Sequence, residues 1–278
     1  MDEKIGFAGL GNMGEPMAMN IVKAGFALTV YDVRDEPLRR LELAGASVAR
    51  SPKELGEQCE IVACMVLNDA QMEEIALGNH GEGMLEAMQP NSIIVIHSTV
   101  LPKTCRRIAA LAENRNVGVL DAPVSGAAMA AHQGKLSLIV GGDPILLERC
   151  RRLFHAVGST IFHMGSLGMG EIAKLANNLI GISTMQLTRE ALRLARKAGI
   201  EEDAMLEVIK ASTGNSWAAQ NWQTLREIAQ KYAGGADGSA QASYKDIALA
   251  LAVGQDIGVA LPVTKAVGRA IGSVGRKI

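Results

Sequence analysis

The chain has 278 residues, of which 48% are hydrophobic and 21% charged, and its formal net charge at pH 7 is −1. These values exclude a disordered or fibrous chain, and they imply no large basic surface for nucleic acid. No apolar run approaches the ~20 residues of a membrane span, and the first residues do not form a secretory signal peptide. We therefore expect a cytoplasmic protein without nucleic-acid or membrane partners.

The cysteines indicate neither a disulfide framework nor a metal site. They lie at positions 59, 64, 105 and 150 and form no Cys-x-x-Cys pair. The histidines show no metal-ligand spacing with them. In a chain of this length, such cysteines are expected to be buried free thiols, and we expect no bound metal.

The first half of the chain alternates short apolar runs with amphipathic segments. A helix is predicted over residues 15–25, with Gly25 as its C-terminal cap. The predicted strands are residues 4–10, 27–32, 60–67, 91–98, 117–122, 135–142 and 159–165. The repeated order of strand, helix and strand is typical of a parallel sheet with helices on both faces.

The pattern changes after about residue 165. Residues 168–199 keep a helical period without a proline and end at Gly199, and more helical segments follow. No convincing strand follows them. The sequence therefore predicts an α/β domain over residues 1–163 and an all-α domain over residues 164–278, with the long helix at their junction.

Three glycines follow the first predicted strand in the stretch GLGNMG, and a helix starts inside this motif. Asp32 closes the second predicted strand 18 residues beyond Gly14. This context favours a Rossmann-type dinucleotide-binding unit over an ordinary glycine-rich turn with a surface aspartate. The first glycine permits the tight turn, the second lets the backbone approach the pyrophosphate, and the third lets helix and strand pack closely. The predicted cofactor contacts in this half are Gly9, Leu10, Gly11, Asn12, Met13, Gly14, Asp32 and Leu67.

Asp32 also bears on the choice of dinucleotide. A carboxylate there accepts hydrogen bonds from the adenosine ribose hydroxyls and repels a 2′-phosphate, which favours NAD over NADP. Arg34 leaves this choice open, because a guanidinium could pair with a 2′-phosphate. A solvated loop residue is the favoured interpretation of Arg34.

The stretch DAPVSG at 121–126 places Pro, Ser and Gly at the end of a predicted strand, where ligands bind in open parallel sheets. The Ser125 hydroxyl and the neighbouring backbone N–H groups suit a substrate carboxylate. An ordinary strand-to-helix turn is the alternative interpretation.

Lys174 and Asn178 lie four residues apart in the long helix and therefore share one face. A lysine on the inner face of this mostly apolar helix would be costly to bury, and its lowered pKa would suit a general base. From the spacing alone, a lysine with its head in solvent is favoured. Lys245 and Asp246 are predicted to open a later apolar helix, where a surface ion pair is the favoured interpretation.

Taken together, these stretches resemble the β-hydroxyacid dehydrogenase family, which includes 3-hydroxyisobutyrate dehydrogenase, tartronate semialdehyde reductase and 6-phosphogluconate dehydrogenase relatives. The matching stretches occur in the order of the family across about residues 4–265. They are GFAGLGNMG near the start, HSTVLP at 97–102, DAPVSG at 121–126, GMGEIAKLANN at 168–178 and YKDIAL at 244–249.

The resemblance implies a Rossmann-type N-terminal domain, a helical C-terminal domain, a long interdomain helix and a homo-oligomer, either a dimer or a tetramer. Lys174 matches the catalytic lysine of the family, which exchanges a proton with the substrate 3-hydroxyl during hydride transfer with the nicotinamide. Asn178 matches a residue that orients the substrate. The other matches are Ser125 and Gly126, with Ala127 beside them, at the carboxylate, and Thr99 and Lys245 at the cofactor.

The resemblance implies an oxidoreductase that uses NAD, and less readily NADP, on a small 3-hydroxy acid or its semialdehyde. A reductase of tartronate or another short-chain semialdehyde is the alternative within the family. An imine reductase and a non-catalytic NAD-binding regulator are less favoured, because neither requires Lys174. The chain departs from the family at Ala127, where a second glycine is usual, and the added methyl could narrow the carboxylate pocket.

Overall fold

The structure is a computed structural model and describes residues 3–78, 81–231 and 235–274. The chain divides into two compact units, Met1–Lys174 and Leu175–Ile278. The first unit contains all the strands of the described residues and the second contains only helices. An α/β fold followed by an all-α fold was predicted from the sequence, and this prediction is confirmed.

Six strands of the first unit form one parallel sheet and three form a smaller sheet. The strands of the parallel sheet are β1 Ile5–Ala8, β2 Leu28–Tyr31, β3 Ser47–Val48, β4 Ile61–Cys64, β5 Ile93–Ile96 and β6 Gly118–Asp121. Those of the smaller sheet are β7 Val124–Ser125, β8 Leu136–Val140 and β9 Gly158–His163.

The helices connect these strands and build the second unit. Those that begin in the first unit are α1 Gly14–Lys23, α2 Asp35–Leu43, α3 Pro52–Gln58, α4 Asp69–Leu77, α5 Met84–Ala87, α6 Pro102–Glu113, α7 Ala127–His132, α8 Pro144–Val157 and α9 Met169–Lys197. Those of the second unit are α10 Glu202–Ala211, α11 Trp217–Gln220, α12 Trp222–Lys231, α13 Gly235–Asp256 and α14 Pro262–Val274. None of the helices in the described residues has the length and apolar composition of a membrane span.

The strand order of the large sheet is β3-β2-β1-β4-β5-β6. The chain first adds strands on one side of β1 and then crosses to the other side, so the order reverses between β1 and β4. In such sheets, ligands bind outside the carboxyl ends of the strands at this reversal. The glycine turn directly follows β1 and therefore lies at this point.

The apolar core follows the pleat of the large sheet. Along β1, Ile5 and Phe7 belong to the cluster on one face, and Ala8 belongs to the cluster on the other face. Along β5, Ile93 and Ile94 separate in the same way. Because both faces are covered, the strands read as continuous apolar runs, which is typical of parallel sheets.

The smaller sheet departs from the sequence prediction. Residues 135–142 and 159–165 were expected to extend the parallel sheet, but β8 and β9 pair with each other outside it. The chain reverses after β6 through an antiparallel bridge between Asp121 and Gly141, and β7 then runs antiparallel to β8. The two-residue strands β3 and β7 were not predicted, because two residues carry no recognisable period.

The helix ends that glycine was predicted to make are confirmed. Gly25, just beyond α1, has a φ of 83°, and Gly199, just beyond α9, has a φ of 90°. Both angles lie in the left-handed region that glycine adopts at little cost at the end of a helix. All four cysteines are buried free thiols, as predicted.

The contact boundary between the two units lies inside α9, at Lys174–Leu175. From the sequence pattern, the domain boundary was predicted before this helix, between residues 163 and 164. The difference has a physical cause, since the first turn of α9 is hydrogen-bonded to the first unit: the Val100 N–H donates to Glu171 Oε2 at 3.3 Å.

Helix α13 differs from its sequence prediction. Lys245 and Asp246 were expected to open a helix after a small polar run at 238–243, but α13 begins at Gly235 and includes that run. The two residues therefore lie in the interior of the helix. Small residues such as alanine and serine do not interrupt a helix whose other face is packed, as Ile247 and Leu251 are against α14.

Candidate active site

The glycine turn after β1 has a backbone that requires glycine. Gly9 has a φ of 89°, in the left-handed region. A Cβ on Gly14 would collide with the Gly9 carbonyl oxygen, so the start of α1 packs this closely only without a side chain. A Cβ on Gly11 would have no heavy atom within 4 Å. The backbone at Gly11 is thus open to the approach of a ligand, as pyrophosphate binding requires.

The start of α1 supplies the matching donors. The helix begins at Gly14, and its N-cap residue Met13 makes no side-chain hydrogen bond to it. N–H groups at a helix start carry partial positive charge and bind anions. Together with the open backbone at Gly11 and the carboxylate of Asp32, this start fits a dinucleotide. Residues 9–14 would hold the pyrophosphate, and Asp32 the adenosine ribose.

Asp32 follows β2, and its carboxylate is held by two residues of the same unit. Its Oδ2 accepts a hydrogen bond from the Leu10 N–H at 2.6 Å, and its Oδ1 lies 3.0 Å from Arg34 Nε. Burial by itself would raise the pKa of Asp32, but the hydrogen bonds from Arg34 and Leu10 and the charge of Arg34 outweigh it, so this pKa is lowered. Asp32 is therefore ionised at neutral pH. Its pairing with Arg34 was not predicted from the sequence.

Two further predicted cofactor residues lie beyond the carboxyl ends of neighbouring strands. Leu67 follows β4 and is 55% exposed, and Thr99 follows β5 and is partly exposed. Ser98 joins the two strand ends, because its hydroxyl oxygen accepts a hydrogen bond from the Val66 N–H at 2.7 Å. The parallel pairing of β4 and β5 thus brings Leu67 and Thr99 to the same edge of the sheet as the glycine turn and Asp32.

His97, in the predicted motif HSTVLP, is a buried structural residue that the sequence analysis did not single out. Its ring packs between Phe7 and Phe154, with centroid distances of 6.5 and 5.9 Å. Its Nδ1 lies 2.7 Å from the Ala122 carbonyl oxygen and donates to it. Burial lowers the pKa of His97 to about 4, with a smaller opposing effect of that hydrogen bond, so the ring is neutral at pH 7. It links the ends of β5 and β6.

The predicted carboxylate loop begins in β7. Ser125 is paired antiparallel with Ser137 of β8, so it does not end a strand of the parallel sheet as the sequence suggested. Gly126 has a φ of 131°, and Ala127 has a φ of 57°, in the left-handed region. The methyl group of Ala127 therefore stands on a backbone that favours glycine, the residue that is usual in the family.

Asp121, in the same DAPVSG stretch, was missed as a functional candidate. Its carboxylate is fully buried and accepts hydrogen bonds from the N–H groups of Gly168 at 2.7 Å and Glu171 at 2.8 Å. It therefore caps the start of α9 from a strand end 47 residues away. Burial raises the pKa of Asp121, and the backbone hydrogen bonds oppose this effect only in part.

Lys174 lies one turn beyond Glu171 on α9 and is 8% exposed. The spacing alone favoured an ammonium group of Lys174 in solvent, but the structure buries this side chain. A buried amine loses hydration, and this cost is met by pairing of the amine or by loss of its charge. Because Asp121 fixes the first turn of α9, the position of Lys174 relative to the sheet is fixed as well.

Asn178 and Lys245 belong to the second unit. The Asn178 side-chain amide donates to Asp246 Oδ2 at 2.7 Å, and Lys245 Nζ lies 3.1 Å from Asp246 Oδ1. The Lys245 and Asp246 side chains are only 23% and 16% exposed, so this ion pair is not the surface pair that the sequence favoured. Asp246 joins the predicted residues Asn178 and Lys245, a role that sequence reasoning did not assign to it. Within the described part of the chain, no three His, Cys, Asp or Glu side chains cluster as metal ligands do.

Two family models match the chain. Residues 4–165 match the NAD binding domain of 6-phosphogluconate dehydrogenase, and residues 168–277 match the NAD-binding domain of NADP-dependent 3-hydroxyisobutyrate dehydrogenase. The chain belongs to the β-hydroxyacid dehydrogenase family. It is an NAD(P)-binding oxidoreductase, as the sequence motifs predicted.

Individual relatives agree with this assignment. The chain is 37% identical over 254 residues to an NAD-dependent L-serine dehydrogenase of Pseudomonas aeruginosa, covering 89% of this chain and 84% of that protein. It is 36% identical over 265 residues to a 3-hydroxyisobutyrate dehydrogenase of the same organism, covering 93% and 88%. A solved structure of Mycobacterium tuberculosis 3-hydroxyisobutyrate dehydrogenase with L-serine has a TM-score of 0.85 at 27% identity, covering 100% of this chain and 95% of that one.

Proposed function

We propose that this β-hydroxyacid dehydrogenase oxidises the 3-hydroxyl of a small carboxylate to the semialdehyde, and catalyses the reverse reduction, with NAD as the preferred cofactor. The observation that carries the proposal is Lys174, which is buried on a helix whose start is fixed by Asp121. The 3-hydroxy acids 3-hydroxyisobutyrate and L-serine are the first substrates to consider, since relatives that share more than a third of the sequence are named for them.

The chain's own residues divide the work of the reaction. Lys174 Nζ takes the proton of the 3-hydroxyl during oxidation and returns it during reduction. The Ser125 hydroxyl and the N–H groups of Gly126 and Ala127 bind the substrate carboxylate, and Asn178 orients the substrate. When bound, the nicotinamide cofactor supplies the hydride acceptor for oxidation and the hydride donor for reduction.

Cofactor binding is assigned to the glycine turn at residues 9–14, to Asp32, and to Leu67, Thr99 and Lys245. The open backbone at Gly11 and the uncapped start of α1 support the assignment of the pyrophosphate site. The lowered pKa of Asp32 supports its role as an ionised acceptor for the ribose hydroxyls. A negative charge there disfavours the 2′-phosphate of NADP.

A substrate screen tests the reaction. NADH formation is measured with 3-hydroxyisobutyrate, L-serine, 3-hydroxypropionate and glycerate, and with lactate as a control that carries its hydroxyl at position 2. We expect turnover of one or more 3-hydroxy acids and none of lactate. Turnover of lactate alone would contradict the proposed position of oxidation. A short-chain semialdehyde reductase, the alternative within the family, would show itself as a preference for tartronate semialdehyde with NADH.

Two other functions make different demands on the site. An imine reductase or a non-catalytic NAD-binding regulator has no need of a buried lysine with an asparagine one turn later. Reduction of a cyclic imine with no turnover of any hydroxy acid would favour the first. Tight NADH binding with no turnover of either class would favour the second.

The exposed face of α9 in the second unit supports a homo-oligomer. We propose that it is a dimer or a tetramer. Ile180, Leu187 and Leu194 are spaced seven residues apart and are 62%, 57% and 74% exposed. Apolar side chains at this spacing form one stripe along a helix. Light scattering on the wild type and on Leu187→Glu tests this: a monomeric wild type would contradict it, and a dimer that Leu187→Glu weakens would support it.

The four buried free thiols are compatible with a reducing compartment such as the cytoplasm.

A further inference from the structure

The carboxylate of Asp32 takes four donors from the chain itself. The Leu10 N–H donates to Oδ2 at 2.6 Å, and the Arg34 N–H donates to Oδ1 at 2.9 Å. The Arg34 guanidinium adds Nε to Oδ1 at 3.0 Å and Nη2 to Oδ2 at 3.2 Å. An ionised carboxylate has about four lone-pair positions, so these donors use the whole accepting capacity of Asp32.

Two of these donors are fixed and two can leave. The Leu10 and Arg34 N–H groups belong to the backbone, whereas the guanidinium is carried on a long side chain that is 54% exposed. Asp32 itself is 7% exposed, so a ribose hydroxyl gains room at this carboxylate chiefly where the guanidinium now lies. Arg34 Nη2 also donates to the Leu10 carbonyl oxygen at 2.8 Å, which holds the side chain against the glycine turn.

We infer that Arg34 sets the ratio of NAD to NADP affinity by competing with the adenosine ribose for Asp32 and, once displaced, by binding a 2′-phosphate. This inference rests on the proposed cofactor site. The competition weakens the binding of both cofactors, because both carry the ribose. The displaced guanidinium restores part of the lost affinity for NADP but not for NAD. Only NADP carries a 2′-phosphate dianion, with which a guanidinium forms paired hydrogen bonds.

The neighbouring arginine does not fit this role. Arg40 of α2 is bound by Glu15 at 2.5 Å and by Glu36 at 2.6 Å, so two carboxylates already neutralise it. Among the described residues, Arg34 forms its ion pair with Asp32, and that partner is the group with which the ribose must pair. Arg34 therefore becomes available to a phosphate at the same step in which the ribose binds.

The test measures binding without turnover. NADH and NADPH are titrated by fluorescence into the wild type, Arg34→Met, Asp32→Asn and the double variant. Arg34→Met keeps the length of the side chain and removes the donors. We expect Kd for NADH to fall and Kd for NADPH to fall less, so that their ratio moves about tenfold towards NADH, the scale of one charge-assisted hydrogen bond. The effect on NADH should disappear in the Asp32→Asn background.

Arg39→Met is the matched control, because Arg39 is an exposed residue of α2, the helix that Arg34 precedes. An unchanged ratio in Arg34→Met would overturn the inference and leave Arg34 as a solvated loop residue. Equal weakening of NADH and NADPH would overturn it too, since that result describes an arginine that only packs on the adenosine. If the wild type binds neither cofactor, the proposed cofactor site itself fails, and this outcome is distinct from an unchanged ratio.

Discussion

Asn178 donates its side-chain amide to the carboxylate of Asp246 at 2.7 Å, which joins α9 to α13 within the second unit. An asparagine side chain can turn over, and its two ends then exchange donor and acceptor. The carboxylate accepts only, so it fixes the Asn178 NH₂ towards Asp246 and leaves the amide oxygen on the other side. If Asn178 orients the substrate as proposed, Asp246 sets which end of its amide the substrate meets.

This relationship predicts the effect of Asp246→Ala. With the amide unfixed, Asn178 should orient the substrate poorly, so KM for the hydroxy acid should rise by about tenfold, the scale of one hydrogen bond to a charged group. Asp246→Asn keeps an acceptor oxygen and should lose less. Steady-state kinetics measures this, with Tm as the check that both variants fold. An unchanged KM in Asp246→Ala would show that Asn178 does not need its partner.

Lys174→Ala should abolish nearly all turnover, because a positioned general base contributes about 10²–10⁴-fold to such a proton transfer. Lys174→Arg should fail as well, since a guanidinium stays protonated. Both variants should keep their NADH affinity in a fluorescence titration. Near-normal kcat in Lys174→Ala would refute the proposed mechanism, whereas lost NADH binding would assign Lys174 to the cofactor site.

His97 predicts how stability depends on pH. Its pKa is about 4 in the native state and 6.5 for an unperturbed histidine, so between these pH values the unfolded chain binds a proton that the native chain does not. Unfolding then takes up a proton, and stability falls as pH falls from about 6.5 to 4. The difference in pKa corresponds to about 3 kcal/mol in all, at 1.36 kcal/mol per unit.

The measurement for His97 is urea unfolding at several pH values between 7 and 4 on the wild type and on His97→Gln. The glutamine keeps a donor for the Ala122 carbonyl oxygen but does not titrate in this range. Its stability should fall less steeply with decreasing pH than that of the wild type. Parallel curves for the two proteins would show that His97 is not the group responsible.

Ala127→Gly should be neutral or stabilising. An alanine at a φ of 57° costs roughly 1–2 kcal/mol, whereas the added freedom of glycine in the unfolded chain costs roughly 0.5–1 kcal/mol. We expect a gain of up to about 1 kcal/mol in the free energy of unfolding. Ala128→Gly, at the next position of α7, is the matched control and should be destabilising by about 1 kcal/mol. Equal losses in both variants would contradict the argument from backbone strain.

The sequence by itself determined the features that depend on local sterics and periodicity. Gly9 and Gly14 were recognisable because a tight turn with φ above zero and a close helix-to-strand contact exclude side chains. The long helix α9 was recognisable from an uninterrupted period that ends at Gly199. The resemblance to the family then singled out Lys174, which the spacing alone would have left at the surface.

The tertiary structure decided the features that depend on residues far apart in the chain. Asp121 caps α9 across 47 residues, and Asp246 holds Asn178 across 68, and no local period predicts either contact. The pairing of Asp32 with Arg34 spans only two residues, yet it depends on the glycine turn that β1 brings beside β2. The strand order and the reversal after β6 place these groups. A buried carboxylate needs hydrogen-bond donors, and the fold determines which backbone N–H groups lie beside it.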